Sequence, residues 1–133
     1  MNEKIETTFG GTRDEMTMLA HVFTHYLHAK EKHPYFCDAL LPHREYSREQ
    51  IHELIDANLA LARNRIEVGV RDGNVTWNEL LNCEVWEATE AIANGDTAAA
   101  IEELYHCVAV CLRVIDVLEG RQKLGKTKKG EKK

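Results

Sequence analysis

The chain has 133 residues, 44% of them hydrophobic, a length and apolar share that support one hydrophobic core and argue against a second domain. Its net charge of −5 hides an uneven distribution: residues 121–133 hold seven of the 17 Lys and Arg and one of the 22 Asp and Glu, leaving 10 against 21, a net −11, in residues 1–120. So acidic a body argues against a nucleic-acid surface on the fold, and no apolar run approaches the roughly 20 residues that cross a bilayer.

The opening residues MNEKIETTFGG lack the apolar stretch of a signal peptide, so a cytoplasmic protein is expected. The four cysteines, Cys37, Cys83, Cys107 and Cys111, show no C-x-x-C spacing and sit among apolar residues, which reads as reduced core thiols. Only two prolines occur, Pro34 and Pro42, and most glycines sit near the ends or beside turn signals. The middle of the chain is free to be helical, and an all-α, four-helix bundle-type domain over residues 1–120 is the expected fold.

After Gly10-Gly11, Thr12 or Asp14 can cap a first helix over about 14–32, which Pro34 stops. Residues 33–46 hold both prolines and no clear period, so they form a connection anchored by Tyr35 and Phe36. Ser47 with Gln50 is a capping box, and Ile51, Leu54, Ile55, Leu59, Ala62, Ile66 and Val70 then recur at helical spacing, giving a second helix over 47–71. Thr76 with Glu79 is another capping box and opens a third helix over 77–93. Asn94-Gly95-Asp96 reads as a tight turn with a fresh N-cap, so the fourth helix, 97–119, runs antiparallel to the third and ends at Gly120. From Leu104 to Leu118 that helix is apolar on nearly every side, as expected at the centre of a bundle or in a subunit interface. Residues 121–133 read as a basic, disordered tail.

Four side chains on the last two helices carry the chemistry. At about 100° per residue, Glu84 and Glu87 lie about 60° apart on a face shared with Trp77, Leu80, Ala88 and Ala91. Glu103 and His106 repeat the spacing beside Ala99, Cys107 and Val110, whereas Glu102 turns about 100° away. Glu87 and Glu103 each lie about 10 Å from the 94–96 turn at 1.5 Å per residue, so the two pairs can meet. A carboxylate in an apolar stripe must be paired, protonated or bound to metal. One outcome is a site for a divalent cation, with carboxylates suiting Mg²⁺ or Mn²⁺ and the imidazole favouring Mn²⁺ or Zn²⁺. The other is a set of buried hydrogen bonds and ion pairs, Glu to His or Glu to Arg63 or Arg65, that hold the helices in register.

From Val75 to Gly120 the chain resembles the MazG-like branch of the all-α nucleoside triphosphate pyrophosphohydrolases. In that family an E-x-x-E on one helix and an E-x-x-D on the next bind Mg²⁺, which holds a triphosphate while water cleaves between the α and β phosphates. Glu84-Val85-Trp86-Glu87 matches the first motif, and Glu103-Leu104-Tyr105-His106 matches half of the second, with His106 in place of aspartate. The resemblance implies a nucleotide substrate, Mg²⁺ or Mn²⁺, and a homodimer or homotetramer. Glu84, Glu87 and Glu103 would be catalytic ligands and His106 a fourth ligand or a phosphate contact. The alternative is a catalytically silent helical protein of the same fold that binds a nucleotide or acts as an assembly partner.

His21, His25 and His28 project within about 60° of one another on the first helix, opposite Leu19, Phe23 and Tyr26, and are expected to face solvent or a subunit contact. His33, His43 and His52 read as surface residues. Trp77 is the better candidate for an aromatic wall of the site, because Trp86 lies about 200° from Glu84.

Overall fold

The computed structural model describes residues 13–36, 40–41 and 44–131. The described chain is all-α, with no strand, and its order is α1 (Arg13–Lys32), α2 (Arg48–Asp72), α3 (Trp77–Ala93) and α4 (Thr97–Glu131). None of the described helices is long and apolar enough to cross a membrane. The chain divides into two compact units, Met1–Cys37 and Asp38–Lys133.

In the first unit, α1 opens with Asp14 and Glu15 and closes with Lys30 and Lys32, charges that oppose the partial charges of the helix ends. Asp14 lies inside the first turn, and Thr12, the other expected cap, falls outside the described residues. His21, His25 and His28 are exposed, as the helical spacing predicts, but so are Leu19, Phe23 and Tyr26 on the apolar face. Tyr35 and Phe36, expected to anchor the connection, are 92% and 85% exposed and so do not pack as anchors among the described residues.

In the second unit α3 is the middle helix, packed against both α2 and α4. Its place follows from the sequence on either side. Ser47 caps α2 with both halves of the expected box: its side chain accepts from the Gln50 N–H at 3.1 Å, and its N–H donates to Gln50 Oε1 at 2.8 Å. The buried stripe of α2 is Ile51, Ile55, Leu59, Ala62 and Gly69. Leu54 and Val70, expected in that stripe, are exposed, because a helix drifts from any strict repeat and Gly69 takes the inward position of the last turn. A Cβ at Gly69 would stand 3.0 Å from Val75 Cα, so its absence allows the α2–α3 link to close over the helix.

Gly73 and Gly95, both left-handed with φ near 70°, end α2 and α3 in the same way. Asn74 N–H donates to Gly69 O, and Asp96 N–H to Ala91 O. Asp96 at once becomes the cap of α4, its Oδ1 accepting from the Ala99 N–H at 3.1 Å. The expected turn and antiparallel hairpin are therefore present.

Two features of α4 differ from expectation. The helix does not end at Gly120 but runs on to Glu131, so residues 121–131 of the expected disordered tail are helical. Gly120 has no left-handed φ, and the following Arg121, Gln122, Lys123 and Leu124 all favour a helix. Nor is α4 central within this unit: Ile101, Leu104, Tyr105, Val108, Ile115 and Leu118 are all exposed. Cys83 and Cys107 are buried free thiols as expected, whereas Cys111 is free but exposed, and Cys37 lies outside the described residues.

Candidate metal centre

Across the α3–α4 hairpin, Glu84, Glu103 and His106 bring one ligand atom each to within 4.8 Å of one another. His106 Nδ1 stands 3.2 Å from Glu103 Oε2 and 3.4 Å from Glu84 Oε2. Neighbouring ligands around a metal with bonds of about 2.1 Å are separated by about 3 Å, so these spacings suit a common cation. The hairpin explains the match, because antiparallel helices place residues equally far from the turn at one level. Glu84 lies ten positions before Asn94, and His106 ten after Asp96.

Glu87 does not join this cluster. Its Oε1 lies 3.7 Å from Arg63 Nε on α2 and receives the Cys83 thiol at 3.6 Å. Since α3 is the middle helix, the 60° between the two residues is enough to send Glu84 toward α4 and Glu87 toward α2. The four-residue constellation is thus three residues plus an ion pair of the kind weighed as its alternative.

The cluster carries more negative charge than its protein partners offset. Glu102 Oε1 also approaches His106, 3.8 Å from Nε2, so four carboxylates face one imidazole and one guanidinium. Burial and the nearby Glu87 carboxylate raise the Glu84 pKa, and a proton held there would be shared with Glu103. The hydrogen bond to Glu103, with Glu84 and Glu102 beyond it, raises the His106 pKa above the ordinary imidazole range. Burial followed by Glu87 pushes the Cys83 thiol up, and burial followed by Glu84 does so for Cys107, so both thiols stay protonated at neutral pH.

One atom tests whether a cation fits. Glu84 Oε2 is sealed from solvent and accepts no hydrogen bond, although His106 Nδ1 is close, because that nitrogen bonds to Glu103 instead. A buried carboxylate oxygen that accepts no hydrogen bond and has only His106 Nδ1 at 3.4 Å is incompletely compensated, and a divalent cation between Glu84, Glu103 and His106 would satisfy it. Two carboxylates and an imidazole are a donor set for Mn²⁺ or Zn²⁺ ahead of Mg²⁺, with the remaining positions open to water or a ligand oxygen.

Two near neighbours fell outside the sequence-based set. Glu102 points off the Glu103 face, yet i,i+4 spacing lets it reach His106, and the same spacing links Cys83 to Glu87. Trp77, the expected aromatic wall, does not line the cluster. It is 53% exposed and borders a groove of about 490 Å³, nearly two helical turns from Glu84, with Leu80, Val110, Arg113, Val114 and Leu118.

Searches against protein families, curated proteins and solved structures find no match for this chain.

Proposed function

We propose that the chain is a MazG-like nucleotide pyrophosphohydrolase that uses Mn²⁺ or Mg²⁺ to cleave a nucleoside triphosphate or related nucleotide to monophosphate and pyrophosphate. The observation that carries this is the meeting of Glu84, Glu103 and His106 across the α3–α4 hairpin, with Glu84 Oε2 buried among them and accepting no hydrogen bond. It adds to the E-x-x-E and E-x-x-H motifs, the first of which resembles the family's metal-binding motif and the second of which matches half of that motif's partner. The bound ion supplies charge neutralisation for the phosphate oxygens and an acidified water. Glu84 and Glu103 would hold the ion, and His106 would either join them or contact phosphate. Water adds to phosphorus, the bridging P–O bond breaks, and the proton from water passes to a carboxylate of the same cluster.

In this reading the protein is cytoplasmic and works as a homodimer or homotetramer. The exposed apolar side chains of α4, among them Ile101, Leu104, Val108 and Leu118, support an assembly, since apolar surface of this kind is commonly covered by a subunit. Sedimentation checks the assembly, and a clean monomer would count against it.

Incubation with common and modified triphosphates plus Mn²⁺ tests the activity. Pyrophosphate release that disappears in Glu84→Ala is the expected result; no release from the intact chain would sink the enzyme. A second reading, a catalytically silent protein of the same fold that binds a nucleotide or an assembly partner, is favoured by one observation. His106 already interacts with both Glu84 and Glu103 and so can close the cluster without a cation. His106→Asp separates the two, because a large gain in metal affinity marks a decayed site. Loss of metal binding in His106→Ala instead makes the imidazole a working ligand.

A further inference from the structure

Glu87 belongs to the first acidic motif, but a single one of its oxygens, Oε1, takes both of its contacts. The Arg63 contact is long at 3.7 Å, and the guanidinium side chain is 57% exposed. The thiol contact from Cys83, 3.6 Å, is a weak hydrogen bond. Exposed ion pairs of this kind are readily exchanged. Glu87 also stands one turn along α3 from Glu84, at i,i+3 spacing, where two like charges repel. A divalent ion beside Glu84 would turn that repulsion into a shared attraction.

Resting on the metal-site reading above, we propose that Arg63 is a positioning residue that withholds Glu87 from the cation, so that completing the ligand set requires the Arg63–Glu87 pair to open. In the metal-free chain Arg63 and Cys83 keep Glu87 on the α2 side of α3. When Glu87 turns toward the cation, the Arg63 guanidinium is left unpaired beside a charged site. Its planar fork then matches the geometry of a phosphate oxygen pair.

Calorimetric titration of the full chain with Mn²⁺ tests this, comparing wild type, Arg63→Gln, Arg63→Lys, Glu87→Gln and the Arg63→Gln/Glu87→Gln double variant. Arg63→Gln is expected to tighten Mn²⁺ binding about 3- to 10-fold and Arg63→Lys to leave it near wild type, because only the first releases Glu87. Glu87→Gln should weaken binding, and the double variant should match it to within about twofold, since Arg63 acts through Glu87. Circular dichroism of each variant checks that helix content is unchanged. Equal tightening by Arg63→Gln in both backgrounds would show that Arg63 is only a nearby positive charge and overturns the proposal. So does an Arg63→Gln affinity equal to wild type. Wild-type binding that is absent, or indifferent to Glu84→Gln, defeats the metal-site reading itself and takes the proposal with it.

Discussion

Two parts of the chain present histidine in a possible ligand setting, and they differ in what surrounds it. On α1, His21, His25 and His28 share an exposed face of a single helix, and His25 meets His28 edge to face with ring centroids 6.5 Å apart. On α4, His106 stands alone among imidazoles but has Glu84, Glu102 and Glu103 within 4 Å. The first region is richer in imidazoles, yet the second is the better site. A helix face supplies neighbours only at i,i+3 and i,i+4, whereas the hairpin adds a carboxylate from a second helix and shields one of its oxygens.

The sharpest way to break this contrast is to remove Glu84. Glu84→Gln should lower pyrophosphate release by on the order of 100-fold or more, as expected for loss of a metal ligand, while His21→Ala/His25→Ala/His28→Ala leaves it unchanged. A triple variant as inactive as Glu84→Gln would move the site to α1.

A smaller effect is expected from Gly69→Ala, which disturbs how α2 meets α3. The added methyl would lie 3.0 Å from Val75 Cα and 3.3 Å from Glu79 Oε2, so the backbone of the α2–α3 link must shift. Urea unfolding should report a loss of about 1–3 kcal/mol, the usual range for overpacking. No loss would mean that the link yields freely.

The gentlest test is pH. His106 has a pKa raised above the ordinary value of 6.5, so the stability it contributes is complete below that value and is lost as pH rises through the folded-state pKa. Glu84, raised above 4.5, acts in the same direction: the folded chain holds its proton more tightly, and that advantage fades as pH climbs through its folded value. Metal-free protein should therefore lose stability as pH rises across this window, modestly because the groups are partly solvated. Mn²⁺ affinity should rise across it, because the ligands bind deprotonated. Thermal melts with and without Mn²⁺ read both trends, and parallel curves would argue against a cation at this cluster.

Much of this contrast was legible in the sequence. Ser47, Thr76, Gly73 and Asn94-Gly95-Asp96 mark helix ends because caps and left-handed glycines act locally, and the spacing of Glu84, Glu103 and His106 around the turn anticipates their meeting. What was not legible depends on neighbours. Periodicity gives the face on which Glu87 lies but not that α3 is flanked on both sides, and so not that a 60° turn hands Glu87 to Arg63. Gly120 resembles a stop signal, yet a glycine ends a helix only where the backbone turns left-handed. Cys111 and the aromatic pair Tyr35 and Phe36 have core-like chemistry yet stay exposed among the described residues, since composition does not say what packs against a side chain.

The 94–96 turn has a consequence for how the molecule forms. Glu84 and His106 are separated by 22 positions, and the stretch between them is two helices joined without slack. Contacts of such short sequence separation demand little loop closure, so they form early and quickly in a folding chain. The Glu84–His106 contact needs only the α3–α4 hairpin, and the Arg63–Glu87 pair, 24 positions apart, needs only α2 and α3. The two sides of α3 can thus be built independently, each by a contact local in sequence.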